Sequence, residues 1–139
     1  MNVNDPVSTI MTRTVVVANQ FHNFSEVLEL FSKHGMHHLP VVDGHNSIIG
    51  MISSNDLMKL FYNSKYKDMK FNSEEIDKAI NIPELMTPHP IVITSKDTIK
   101  HAAKIFADNS FQCLPVVDGG QLVGIVTVKD LAQLVAYYS

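Results

Sequence analysis

The sequence is poor in cysteine, carries no surplus of basic charge and has no long apolar run, and each shortage removes a class of function. Cys113 is the one cysteine among 139 residues, which excludes an intrachain disulfide and a cysteine-built metal cage. Lys+Arg 11 against Asp+Glu 14 leaves a net charge of -3, so the basic field that displaces counterions from a phosphate backbone is missing and nucleic acid is not an expected partner. Charged or polar residues break every hydrophobic stretch well short of the roughly 20 residues that cross a bilayer, so no membrane role is expected. The opening MNVNDPVST has neither the basic nor the apolar region of a signal peptide, and the expected compartment is the cytoplasm. No Gly-x-Ser-x-Gly, P-loop, His-Glu-x-x-His or Gly-x-Gly-x-x-Gly occurs, and no enzyme activity is expected.

What the sequence does have is 45% hydrophobic residues, enough for one ordinary domain or two very small ones, and an internal repeat. Leu39-Pro40-Val41-Val42-Asp43 returns as Leu114-Pro115-Val116-Val117-Asp118, and the same offset of 75 carries Met11-Thr12 onto Met86-Thr87 and Phe31 onto Phe106. Gly50, Asp56 and Leu57 then fall on Gly124, Asp130 and Leu131 at an offset of 74, as if the loop after Asp43 were one residue longer than its counterpart.

Both copies carry the same pattern of periodicity. A short apolar run, Val15 to Ala18 or Ile91 to Thr94, suits a buried strand. Phe24, Val27, Leu28 and Phe31, and in the second copy Ile99, Ala102, Ala103 and Phe106, form helical stripes at i, i+3, i+4 and i+7. Asn23 with Glu26, and Thr98, are N-cap signals, while Gly35 and Asn109 occupy left-handed C-cap positions. Leu39 to Val42 and Ile48 to Ser53 read as two strands, and Asp118-Gly119-Gly120 as a tight hairpin turn. A final helix buries Leu57, Leu60 and Phe61, or Leu131, Leu134 and Val135. The fold class is therefore α/β (α+β): two β-α-β-β-α repeats packed with pseudo-two-fold symmetry, over residues 1–62 and 82–139. Residues 63–81 act as a linker with a short helix near Glu74 to Ile80. Neither copy is large enough to be comfortable alone.

Leu-Pro-Val-Val-Asp followed by Gly-Met-Ile-Ser-Ser-Asn-Asp at 50–56, and by Gly-Ile-Val-Thr-Val-Lys-Asp at 124–130, resembles a stand-alone tandem cystathionine-β-synthase (CBS) domain pair, or Bateman module. The resemblance implies a regulatory module that binds AMP, ADP, ATP or S-adenosylmethionine in clefts between its copies, as ligand rather than cofactor, and signals to a regulated protein that the sequence does not identify. It also implies a homodimer through the end helices, where Leu134, Val135 and Tyr138 form an apolar face. A ligand-free dimerisation or scaffold module is the alternative.

The chemistry centres on Ser53-x-x-Asp56 and Thr127-x-x-Asp130. One reading is a helix capping box. The other is a carboxylate that accepts ribose hydroxyls beside a hydroxyl and free helix N–H groups suited to phosphate. By resemblance, Asp130, Thr127 and Lys129 group with Thr12, Val16, Met36, His37 and His38, and Asp56, Ser53 and Asn55 with Thr87, Ile91, Gln112 and Cys113. The histidines and Lys129 draw phosphate to the first group, so unequal affinity is expected. His34, His37 and His38 suggest a metal, but His37 and His38 on one strand point to opposite faces, and no metal is expected.

Overall fold

The first helical stripe folds as α1 (Phe24–His34). Its cap is reciprocal: the Glu26 backbone N–H donates to the Asn23 side chain at 2.8 Å, and the Asn23 N–H donates to the Glu26 carboxylate at 3.1 Å. Two donors that a helix start leaves bare are thereby satisfied. Gly35 ends the helix at φ 58°, in the left-handed region where glycine carries no Cβ penalty.

The computed structural model describes residues 2–63, 66 and 74–137, and these fall into two units. The central unit, Val16–Pro90, runs β1 (Ala18–Asn19), α1, β2 (His38–Val42), β3 (Ile48–Ser53), α2 (Ser54–Phe61), α3 (Glu74–Ala79), α4 (Ile82–Leu85) and β4 (Thr87–Pro88). Its sheet has the order β1-β2-β3-β4, parallel between β1 and β2 and antiparallel elsewhere. The terminal unit joins Met1–Val15 to Ile91–Ser139 and holds a 3-10 turn (Val7–Thr9), α5 (Ile99–Asp108), β5 (Cys113–Asp118), β6 (Gln121–Thr127) and α6 (Val128–Tyr137). The β5–β6 hairpin turns through Gly119 and Gly120 at φ 56° and 79°, the two positive values that a tight type I′ turn demands. Linker residues 64–65 and 67–73, and Tyr138 of the terminal apolar face, lie outside the described residues.

Each unit takes the segment that closes its sheet from the other repeat, a short strand in the central unit and a single bridge in the terminal one. Thr87 pairs with Met51 of β3, and Thr12 bridges Ile125 of β6, with N–H···O bonds of 2.9 and 3.0 Å exchanged both ways. A glycine opposite each entering segment makes room. A Cβ at Gly124 would stand 2.8 Å from Met11 Sδ and 2.9 Å from the Thr12 carbonyl oxygen, and one at Gly50 would stand 2.7 Å from Met86 Cγ. Buried Met11 thus joins Val7, Ile99, Leu114, Val126 and Leu134 in the terminal core, while Met86 packs against the central core of Phe24, Leu39, Ile52 and Ile76.

Three expectations need correction. The leading strands Val15–Ala18 and Ile91–Thr94 shrink to the two residues of β1 and to a single bridge, Ile93 to Val116. The Ile93 N–H donates to the Pro115 carbonyl at 3.1 Å and the Val117 N–H to Ile93 at 2.8 Å; extending that ladder needs an N–H that Pro115 lacks, and Pro40 holds the same place in the first copy. Asn109 is extended at φ -136° rather than left-handed, its amide instead donating to the Ile105 carbonyl at 2.8 Å. The end of the linker is more than a tether: Ile76 and Ile80 are buried in the central core. Asp77 also accepts the Ser25 N–H at 2.8 Å and the Ser25 hydroxyl at 2.9 Å, fixing α3 to the start of α1.

Gly124→Ala is expected to lower the unfolding free energy by about 1–3 kcal/mol, because a backbone carbonyl must move to admit the methyl group. Gly50→Ala meets only the flexible Met86 side chain and costs less. Urea denaturation of both variants measures the difference.

Candidate functional site

The two serine/threonine–aspartate motifs sit where a strand becomes a helix, β3 to α2 and β6 to α6. At the first, the Ser53 N–H donates to Asp56 Oδ2 at 2.7 Å and the Asp56 N–H donates to Ser53 Oγ at 3.2 Å. At the second, the Thr127 N–H donates to Asp130 Oδ2 at 2.8 Å and the Asp130 N–H to Thr127 Oγ1 at 3.2 Å. Both are therefore reciprocal capping boxes. The box engages one oxygen of each carboxylate. Oδ1 of both half-buried aspartates accepts no hydrogen bond among the described residues, and each hydroxyl keeps its own proton to donate. Capping and ligand binding thus draw on different atoms of one motif.

Each box has neighbours within its own unit. In the central unit His38 pairs with Ser53 across the β2–β3 ladder, the Ser54 N–H donates to the His37 carbonyl at 2.9 Å, and Thr87 lies on the far side of β3 beside Met51. In the terminal unit Cys113 pairs with Thr127, the Val128 N–H donates to the Gln112 carbonyl at 3.0 Å, and Thr12 flanks Ile125. Thr12 therefore shares a unit with Thr127, Lys129 and Asp130, and Thr87 shares one with Ser53, Asn55 and Asp56. Val16, Met36, His37 and His38, grouped with Asp130 on sequence, belong to the unit of Asp56; Ile91, Gln112 and Cys113 belong to that of Asp130. No spacing in the sequence signals the closeness of His38 to Asp56, because it arises from strand register.

The two neighbourhoods differ in titration. Burial holds the His38 imidazole below its usual value, the adjacent His37 lowers it further, and the Asp56 carboxylate opposes both. At the matching place Cys113 is buried, and burial together with the Asp130 carboxylate pushes its thiol up to about 12. Cys113 is therefore a neutral, weakly nucleophilic group at physiological pH. The repeated Asp43 and Asp118 do turn work instead: Asp43 Oδ1 accepts the His45 and Ser47 N–H groups at 2.9 and 3.0 Å, and Asp118 accepts the Ser95 hydroxyl at 2.5 Å. Among the described residues no group of three His, Cys, Asp or Glu is placed to hold a metal, and no helix is long and apolar enough to cross a membrane.

A cavity of about 150 Å³ in the central unit is lined by Asp56, Lys59 and Glu84 over an apolar wall that includes Leu60, Ile80 and Leu85. The only signal for it is positional, Lys59 lying three residues after Asp56 and Glu84 three before Thr87.

Two β-α-β-β-α repeats, each with a capped strand-to-helix junction that leaves a carboxylate oxygen unused, define a paired α+β module. The family model for the CBS domain matches residues 7–63 and again 82–137, and the chain belongs to the CBS domain family. The chloroplastic CBS domain-containing protein CBSX1 of Arabidopsis thaliana is 32% identical over 122 residues, 73% of this chain and 51% of its own. The chain spans about half or less of the length of the curated relatives it matches first. Among solved structures, CBSX2 of Arabidopsis thaliana in complex with AMP is 26% identical with a TM-score of 0.79, covering 96% of this chain and 98% of its own. The CBS domain pair of protein MJ0100, in complex with 5'-methylthioadenosine and S-adenosylmethionine, is 27% identical with a TM-score of 0.81 and the same two coverages.

Two outcomes follow from the titrating groups. Cys113 is expected to resist iodoacetamide in the native protein at mildly alkaline pH and to react once urea unfolds it, as mass spectrometry would show. Since the folded His38 value lies below the ordinary 6.5, the neutral imidazole contributes stability that is present above that value and lost as pH falls through the lowered one. The urea midpoint should therefore fall between about pH 7.5 and about pH 5.5 more steeply in the native protein than in His38→Gln.

Proposed function

We propose that the chain is a regulatory module that senses an adenine nucleotide or adenosyl compound, holding ribose hydroxyls at Asp56 and Asp130. The observation that carries this reading is the unused Oδ1 of each capping aspartate, in a chain whose solved relatives include complexes with AMP and with S-adenosylmethionine. A carboxylate fixed by its own capping box presents its second oxygen without further loss of side-chain freedom, which favours binding over a mobile acid. The hydroxyl of Ser53 or Thr127, and Thr87 or Thr12 on the adjoining strand, supply donors for a phosphate or a second hydroxyl. Lys129 stands beside Asp130 where Asn55 stands beside Asp56, so the two ends are unequal and an anionic phosphate favours the Asp130 end.

No catalytic residue is assigned. Ligand occupancy acts instead by shifting the balance between conformations that a regulated protein distinguishes, and only to the extent that the ligand's affinity differs between them. A second copy of the chain, joined through the end helices, completes this reading, as two-fold closure is the commonest arrangement of soluble homo-oligomers.

A ligand at about 100 times its dissociation constant stabilises the folded protein by about 2.7 kcal/mol, a rise of several degrees in melting temperature for a chain of this size. AMP or S-adenosylmethionine is expected to produce that rise. The double variant Asp56→Asn, Asp130→Asn should abolish it while retaining most of the capping geometry, since an amide oxygen still accepts the Ser53 or Thr127 N–H. No shift with AMP, ADP, ATP or S-adenosylmethionine would instead support a ligand-free scaffold, for which the capping boxes alone suffice.

A further inference from the structure

The turn between β1 and α1 and the turn between β2 and β3 meet at the end of the central sheet away from Asp56. They enclose a cavity of about 250 Å³ whose lining includes Val17, Gln20, Phe21, His22, Val42 and Asp43. Asp43 follows His38 by five residues of extended chain, so the cavity lies roughly 16 Å along β2 from the His38–Ser53 pair. Its volume falls below the roughly 300 Å³ at which pockets for whole small molecules begin, and a single side chain is the occupant it suits. One carboxylate lines it, and no lysine or arginine does so among the described residues.

The terminal unit fills the matching place from its own chain. At the offset of 75, Gln20, Phe21 and Asp43 become Ser95, Lys96 and Asp118. Asp118 accepts the Ser95 hydroxyl and N–H on its two oxygens, and the Lys96 charge adds to those bonds in holding its carboxyl below the usual range. The Ser95 carbonyl in turn accepts the Ser8 N–H at 3.2 Å. In the central unit Pro83 stands in the place of Ser8 and has no N–H to give. Gln20 makes no bond to Asp43 among the described residues, and a phenyl ring replaces the ammonium.

What remains is a fixed acceptor beside an exposed ring. Asp43 Oδ1 takes the Ser47 and His45 N–H groups, whereas Oδ2 accepts no hydrogen bond among the described residues. Phe21 is 86% exposed on a turn held by three bonds: its N–H donates to Asn19 Oδ1 at 2.9 Å, the Asn19 N–H to His22 Nδ1 at 2.9 Å, and the His22 N–H to the Asn19 carbonyl at 3.2 Å. An alkyl stem laid on this ring covers apolar surface while its ammonium reaches water or an acid, and a cation is drawn to the ring face as well.

We propose that this cavity is a docking point for a partner polypeptide, receiving one lysine side chain whose stem lies on Phe21 and whose ammonium meets Asp43. The partner thereby supplies the cation that Lys96 supplies within the other repeat. A basic segment of another protein is drawn to a chain of net charge -3, whereas two copies of that chain repel. The inference does not depend on the ribose reading, and the separation along β2 lets both places be occupied at once.

Amide NMR spectra of the isotope-labelled full chain at about pH 7.5, above the ordinary imidazole range, test this with two peptides. Acetyl-Gly-Lys-Gly-amide is expected to shift the amides of Asn19 to His22 and Asp43 to His45. The norleucine analogue, which keeps the stem without the charge, should leave them in place. Asp43→Asn retains an oxygen for the turn and should weaken the lysine response about fivefold. Phe21→Lys builds in the cation of the other copy and should abolish it, with melting temperatures confirming that both variants fold. Equal shifts from the two peptides, no shift at those amides, or an undiminished response in Asp43→Asn would overturn the proposal. The same shifts on concentrating the peptide-free protein would give the place to a second copy of the chain and overturn the partner assignment.

Discussion

The close approach of a methionine-threonine segment to a glycine in the facing strand is the contact on which the rest depends. Gly124 admits Met11 and the Thr12 carbonyl so closely that a Cβ there would displace backbone, and Gly50 admits Met86, whose flexible side chain alone would have to shift. Because each entering segment belongs by sequence to the other repeat, neither repeat completes its own sheet. The small size of each copy makes this exchange consequential, since a chain near 60 residues buries too little surface to stand comfortably alone. The segment that closes each sheet also brings Thr12 or Thr87 to the edge of the strand that ends in a capping box.

That box reconciles two readings that compete on sequence. A helix start offers bare N–H groups and a positive dipole end, so a serine or threonine followed three residues later by an acid is stabilising whether or not a ligand exists. Here the stabilisation uses Oδ2 of each aspartate and leaves Oδ1 open. The fold thereby holds a carboxylate in a fixed orientation for its own reasons. Binding would draw on an acceptor whose rotamer is already set, with little further entropy lost.

The repeats have diverged where charge matters and have kept what packing requires. Glycine, methionine, the Leu-Pro strand and the capping pair recur at matched positions, and even the strand irregularity falls at the same place, between Val41 and Val42 and between Val116 and Val117. Around the aspartates the residues differ: His38 against buried Cys113, Asn55 against Lys129, Lys59 against Gln133. Packing tolerates few alternatives at close-packed positions, whereas polar rim positions change at little cost to stability. The two strand-to-helix junctions thus differ in charge on a nearly constant frame.

Much of this was legible in the residues themselves. The repeat, the helical stripes, the Asn23 and Thr98 caps, the Gly119-Gly120 turn and the strand Ile48 to Ser53 depend on interactions between near neighbours, and local pattern encodes them. The leading strands are shorter than their apolar runs suggest, because those runs carry no mark of the missing proline N–H across the ladder. Tertiary structure alone decided that His38 stands beside Asp56, that Ile76 and Ile80 of the linker enter a core, and that Lys59 and Glu84 share a cavity with Asp56. Those facts come from pairings between residues distant along the chain, set by strand register and by which segment fills the space beside a glycine, and no short window of sequence contains both partners.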